Sequence, residues 1–197
     1  TPRHEIREAH GGDYAGLKRL LAAPVAFGSN RWIVGHGIPF RAVAGPPHGG
    51  VAPRGADVNA PAGGAAHDGS GAALQRVTTN GVGLDVRVAG PRDGPPVLLL
   101  HGFPEFWYGW HRQIAPLAAA GCRVLVPNQR GYDGSDKPAG VAAYGLDVLA
   151  ADAIGLAALA AQRPLHFVGH DWGGLVAWWT ALRYPARVAS LTVLNAP

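Results

Sequence analysis

Hydrophobic and polar positions change their rhythm several times along the chain. Val82, Leu84, Val86 and Val88 alternate with Gly83, Asp85, Arg87 and Ala89, the period of two expected of a half-buried strand. Asn80-Gly81 just before them is a two-residue hairpin turn, and residues 75–79 are the predicted partner strand. The run 97–100 is continuously apolar between Pro95-Pro96 and Gly102, as in a strand covered on both faces. Runs 123–126, 165–168 and 190–194 repeat that character. Helical stretches separate them at 107–120, 144–161 and 173–184, with Gly121 and Pro185 marking two ends. Strands alternating with helices of this length predict right-handed crossovers and a parallel sheet. The fold class is therefore α/β: an open, mostly parallel sheet opened by an antiparallel hairpin.

Residues 1–73 read differently. They hold 14 Gly and 7 Pro, and only 14–23 shows a clean apolar pattern. The tract 45–71 offers too little apolar surface to offset chain entropy. Gly12-Asp13 with Leu20-Leu21, and Gly55-Ala56-Asp57-Val58-Asn59-Ala60, resemble pieces of ankyrin repeats, but the wide gap between them removes the spacing that stacks helices. The expectation is two parts: 1–73 an irregular leader, disordered or foreign, and 74–197 a partial catalytic core.

Composition narrows the function classes. The net charge is +4, with seven basic against five acidic residues up to Ala73 and ten against eight after it. The basic excess is gathered nowhere, which argues against nucleic acid as a partner. The single cysteine, Cys122, excludes an intrachain disulfide and a cysteine-based zinc cluster. No apolar run reaches the roughly 18 residues of a membrane span, and the N-terminus lacks a secretory signal's order. A cytoplasmic protein without a membrane partner is expected. Methionine is absent and Arg outnumbers Lys fifteen to two, so Thr1 reads as other than a natural start and the coding sequence as GC-rich and bacterial.

In an open parallel sheet, ligands gather beyond the carboxyl ends of the strands. After Val168 stands Gly169-His170-Asp171-Trp172-Gly173-Gly174. This is the G-x-nucleophile-x-G form of a nucleophile elbow, a strained strand-to-helix turn that lifts its central side chain above the sheet. A carboxylate there can attack an sp³ carbon and form an alkyl ester. The structural alternative is an ordinary helix cap, since Asp before a helix satisfies free N–H groups. After Leu100 stands His101-Gly102-Phe103-Pro104-Glu105. In this architecture that loop supplies one oxyanion N–H and the residue after the nucleophile the other, here Phe103 and Trp172. No metal is implied by any Asp, His or Glu spacing, and no cofactor. His170 should point away from the nucleophile's side. His166 reads as a satisfied sheet residue, the four tryptophans Trp107, Trp110, Trp178 and Trp179 as packing, and Arg130 to Asp133 as a turn without a ligand.

With HGFPEFWYGW after Leu100, RGYDGSDKP from Arg130 and VGHDWGG at the elbow, residues 74–197 resemble the N-terminal half of the core of α/β-hydrolase fold epoxide hydrolases. The resemblance implies Asp171 as nucleophile, the backbone N–H groups of Phe103 and Trp172 as oxyanion hole, and Phe103, Pro104 and Trp172 as substrate-binding residues. It implies a small-molecule epoxide as substrate, opened to a diol through an aspartyl-alkyl ester.

Two departures stand out. Relatives usually carry Arg-Gly-Tyr-Gly where this chain has Asp133, which predicts a turn shifted by one residue. All nine histidines precede Asp171, as do all the other acidic residues, whereas the family places its relay acid, base histidine and lid later. The chain therefore reads as truncated, with an apolar edge at 190–194 left free for self-association. Haloalkane and fluoroacetate dehalogenases share the Asp elbow and are the alternative activities. Haloalkane enzymes usually carry Asn or Glu at the position of Phe103, and fluoroacetate enzymes resemble Gly-His-Asp-Arg-Gly where this chain has Trp172. A catalytically dead half-domain or partner-binding fragment is the alternative of another class.

Overall fold

The computed structural model describes residues 71–196 and, as backbone, residues 31–35. One seven-stranded sheet runs through them, built from β1 (Arg31–Gly35), β2 (Ala73–Thr79), β3 (Val82–Ala89), β4 (Pro96–Leu100), β5 (Arg123–Pro127), β6 (Leu165–His170) and β7 (Val188–Leu194). Their spatial order is β1-β7-β6-β4-β5-β3-β2. The β2–β3 and β3–β5 pairs are antiparallel and all others parallel. The hairpin closes as its sequence predicts, for Asn80 and Gly81 both take positive φ, 50° and 79°, the requirement of a type I′ turn.

Three helices join the strands: α1 (His111–Ala119), α2 (Leu146–Gly155) and α3 (Trp172–Arg183). The predicted stretch 107–120 divides into a 3₁₀ turn, Trp107–Trp110, followed by α1. The stretch 144–161 divides similarly, α2 giving way to a 3₁₀ turn at Leu156–Ala160. Among the described residues no helix is long and apolar enough to cross a membrane.

The apolar runs are continuous because the sheet is covered on both sides. From β4, Leu98 and Leu100 face one core with Phe167, Leu191, Ile154 and Val176. Val97 and Leu99 face the other with Val168, Ile114, Trp107 and Trp110. Alternate residues of one strand thus serve different cores, and neither face retains a polar period.

The leader differs from expectation in one place. Arg31–Gly35 is a strand, parallel to β7 with Arg31 opposite Ser190 and Gly35 opposite Leu194. Arg-Trp-Ile-Val-Gly is rich in strand-forming residues, but five residues are too few for the windows in which periodicity is read. The edge of β7 expected to be free for self-association is therefore paired. The pattern at 14–23, the ankyrin-like pieces and the tract 45–70 lie outside the described residues.

Candidate active site

Three loops leave the carboxyl ends of neighbouring strands β4, β5 and β6, and they meet above the sheet. The loop after β6 is the sharpest. Asp171 holds φ 51° and ψ −119°, a conformation that costs a non-glycine residue on the order of 1–3 kcal/mol. The turn is possible because its neighbours lack side chains. A Cβ on Gly169 would lie 2.4 Å from the Gly173 carbonyl oxygen, and one on Gly173 would lie 2.3 Å from that of Leu100. Strand, turn and helix pack backbone against backbone there, and only glycine leaves room.

Asp171 stands at the start of α3, yet its side chain makes no capping hydrogen bond of the usual kind. Instead the Phe103 N–H, from the loop after β4, donates to Asp171 Oδ1 at 2.9 Å. The Trp172 backbone N–H, next along the chain, also draws the carboxylate's pKa down. These two donors, Phe103 first, hold the Asp171 pKa below the ordinary carboxylate value against a smaller opposing effect of burial. A carboxylate used only as a helix cap would accept from the N–H of the second or third helical residue. This one is aimed at a loop 68 residues away.

The loop that aims Phe103 is fixed by His101. Its buried ring accepts the Gln129 backbone N–H at Nε2, 3.0 Å, so Nδ1 carries the proton and donates to the Gly102 carbonyl at 2.9 Å. Burial lowers the His101 pKa, in keeping with that neutral tautomer. The Gln129 side-chain amide also donates, to the His101 carbonyl at 2.7 Å. The loops after β4 and β5 are thus joined by two hydrogen bonds, both donated by Gln129 and accepted by His101. Glu105 Oε2 accepts the Gly102 N–H at 3.2 Å and lies 3.3 Å from His170 Nδ1.

Asp171, Phe103 and Trp172 line a cavity of about 700 Å³ together with Gln129, Arg130, Gly131, Tyr132, Tyr144 and Leu149. The Phe103 side chain is 71% exposed and sits at the open mouth. Pro104 is exposed and is not among the lining residues. Residues 130–132, read as a turn without a ligand, do line the cavity. They follow the carboxyl end of β5, and the strand-end rule applied to β4 and β6 would have found them.

Asp133 itself takes a left-handed φ of 43°, the conformation that a glycine at this place would adopt freely. Its carboxylate accepts Asn128 Nδ2 at 2.8 Å, which steadies the left-handed backbone. His170 does not line the cavity. His166 Nδ1 lies 2.8 Å from Ser190 Oγ inside the sheet, as a satisfied core residue should.

Residues 95–197, more than half of the chain, match the model of the family described as alpha/beta hydrolase fold. Over 127 residues the chain is 50% identical to AB hydrolase superfamily protein YfhM of Bacillus subtilis, covering 64% of this chain and 44% of that protein. Epoxide hydrolase A of Mycobacterium tuberculosis is 46% identical over 128 residues, 64% of this chain and 40% of that one. Among solved structures, Epoxide Hydrolase A from Mycobacterium thermoresistibile superposes with a TM-score of 0.61 at 46% identity, over 62% of this chain and 38% of that chain. The chain thus spans about two fifths of the length of these relatives. The sheet order, the elbow and the family match agree, and the chain belongs to the α/β-hydrolase fold family.

Proposed function

We propose that this chain carries the nucleophile-bearing part of an epoxide hydrolase, in which Asp171 opens the epoxide by attack on a ring carbon. The observation that carries this reading is the Asp171 carboxylate, drawn out of helix capping and held at Oδ1 by the Phe103 N–H, 2.9 Å away. With that oxygen held, the second one faces the electrophile. The new C–O bond forms as a ring C–O bond breaks, leaving an alkyl ester on Asp171 and the electron pair on the former ring oxygen. When water later attacks the ester, negative charge develops on Oδ1, which the Phe103 N–H already faces, with the Trp172 N–H beside the same carboxylate, the arrangement of an oxyanion hole. The names of the relatives support an epoxide over another sp³ electrophile.

The test is covalent labelling of the full chain by a reactive aryl epoxide, read by intact mass and peptide mapping. A single adduct on Asp171 is expected, abolished by Asp171→Asn and retained by Asp133→Asn. An adduct on His170 or Cys122 with Asp171 untouched would overturn the assignment.

A further inference from the structure

The described helices do not cover the two faces of the sheet alike. Strand β7 is flanked by β6 on one side and β1 on the other, and α2 and α3 pack on the face that carries Phe167, Leu191 and Val193. The opposite face has α1, which packs on β5 and β3. A helix is about 10 Å across and strands lie about 4.8 Å apart, so α1 roofs about two strands. With the 3₁₀ turn at Trp107–Trp110 beside it, this roof reaches β4 and, at its margin, Val168. Further out on the same face stand His166, Ser190 and Thr192, with His166 opposite Ser190 and Val168 opposite Thr192. His166 and Ser190 are only 8% exposed and Thr192 only 6%. Neighbouring strands shield the flanks of β7 rather than its face, so their burial requires a further cover.

We infer that residues 14–23 of this chain form a helix that docks on this face of β6 and β7. The strand β1 brings the N-terminal region to the spot, with Arg31 opposite Ser190 and Ile33 opposite Thr192. Residues 24–30 alone separate the segment from β1, close to the usual length of a connection from a helix to the next strand. Before β1, only 14–23 has the pattern for the task. Tyr14, Leu17, Leu20 and Leu21 recur at helical spacing with Arg19 on the opposite side, Asp13 precedes them where an N-cap is favoured, and Pro24 marks an end. Ten residues of helix are about 15 Å long, and an extended chain from Ser190 to Leu194 is about 13 Å, so the lengths match. The other face of these strands already holds α3, which leaves this one. The cover bears on the active site, because the Asp171 N–H donates to the Leu194 carbonyl at 3.0 Å and β7 thereby braces the elbow.

Amide hydrogen exchange of the full chain tests this. The double variant Leu17→Asp, Leu21→Asp should exchange about tenfold faster or more in residues 188–194, with 123–126 as in the parent, and Arg19→Asp should change neither. Exchange at 188–194 unchanged in the leucine variant would overturn the inference. A cysteine scan decides the case in which that variant fails to fold. In a Cys122→Ser background, Thr192→Cys is combined in turn with Leu17→Cys, Leu20→Cys, Leu21→Cys and Arg19→Cys, and mild oxidation is followed by peptide mapping. An intrachain disulfide to residue 192 is expected from at least one of positions 17, 20 and 21 and not from 19. No disulfide from any of them, or one formed equally from 19, would overturn the docking. Disulfides formed only between two chains, or exchange at 188–194 that quickens on dilution, would give this face to a second copy and overturn it as well.

Discussion

Removing either partner of the Arg130–Asp152 ion pair should destabilise the chain far more than removing both. The pair is bidentate, Arg130 Nε to Asp152 Oδ2 at 2.7 Å and Nη2 to Oδ1 at 2.8 Å, with side chains only 5% and 6% exposed. Asp152 Oδ1 also accepts Asn80 Nδ2 at 2.9 Å, and Arg130 Nη1 donates to the Ala143 carbonyl at 3.0 Å. One ion pair thus ties the hairpin turn to α2 and to the floor of the cavity. Burial raises the Asp152 pKa despite the opposing pull of Arg130 and Asn80, so desolvation outweighs the attraction. The folded chain then holds this proton more tightly than the unfolded chain does. The group's contribution is accordingly greatest below the unfolded pKa and declines as pH rises through the raised one. Asp152→Leu or Arg130→Met alone strands a buried charge, at about 3–5 kcal/mol. With a urea slope of roughly 1–3 kcal/mol/M, the midpoint should fall by on the order of 2 M. The double variant Arg130→Met, Asp152→Leu leaves no charge, the Ala143 carbonyl short of a donor and the Asn80 amide short of one acceptor, and should lie within about 2 kcal/mol of the parent. Urea unfolding of the four proteins at neutral pH decides it. A double variant as unstable as the two single losses added together would refute the reasoning.

Gly173→Ala should destabilise by about 1–3 kcal/mol through overpacking against the Leu100 and His101 carbonyls, read as a lower urea midpoint. Asp147→Ala removes an ion pair whose acid is 61% exposed, and should change stability by less than about 1 kcal/mol in the same assay. Labelling of Asp171 needs its ionised form, so its lowered pKa predicts rates nearly flat from pH 7 to about pH 5, with loss only below the ordinary carboxylate range.

Most of the fold was legible because the determinants are local. The alternation at Val82 to Val88 and the Asn80-Gly81 turn act over a few residues, and β2–β3 forms where they point. The continuous runs became strands because each has two cores to fill. The strand at Arg31–Gly35 was not legible, since a parallel edge strand is specified by its partner's open ladder more than by its own five residues. The same division holds at the site. That Asp171, Phe103 and Trp172 meet at one cavity was legible because flanking glycines and strand ends mark them. The place of Tyr132 at the cavity was not legible because its ring is set by a contact with His101, 31 positions earlier in the chain.

On the proposed reading, the two donors at Asp171 serve opposite ends of one reaction. By lowering the pKa they make the carboxylate a weaker base and, in its ground state, a less willing nucleophile. A gain must come later for the arrangement to accelerate anything, since only interactions stronger in the transition state lower a barrier. The ester-cleaving step supplies it, for there a full charge forms on an oxygen that in the ester carried only a partial one. The strained backbone favours the same division. A relaxed Asp171 could turn back and cap α3, whereas φ 51° directs the carboxylate to Phe103 and keeps the donors aligned before the charge appears. Relieving the strain should therefore stabilise the chain and impair the chemistry together, a trade that a site built only for packing has no reason to show.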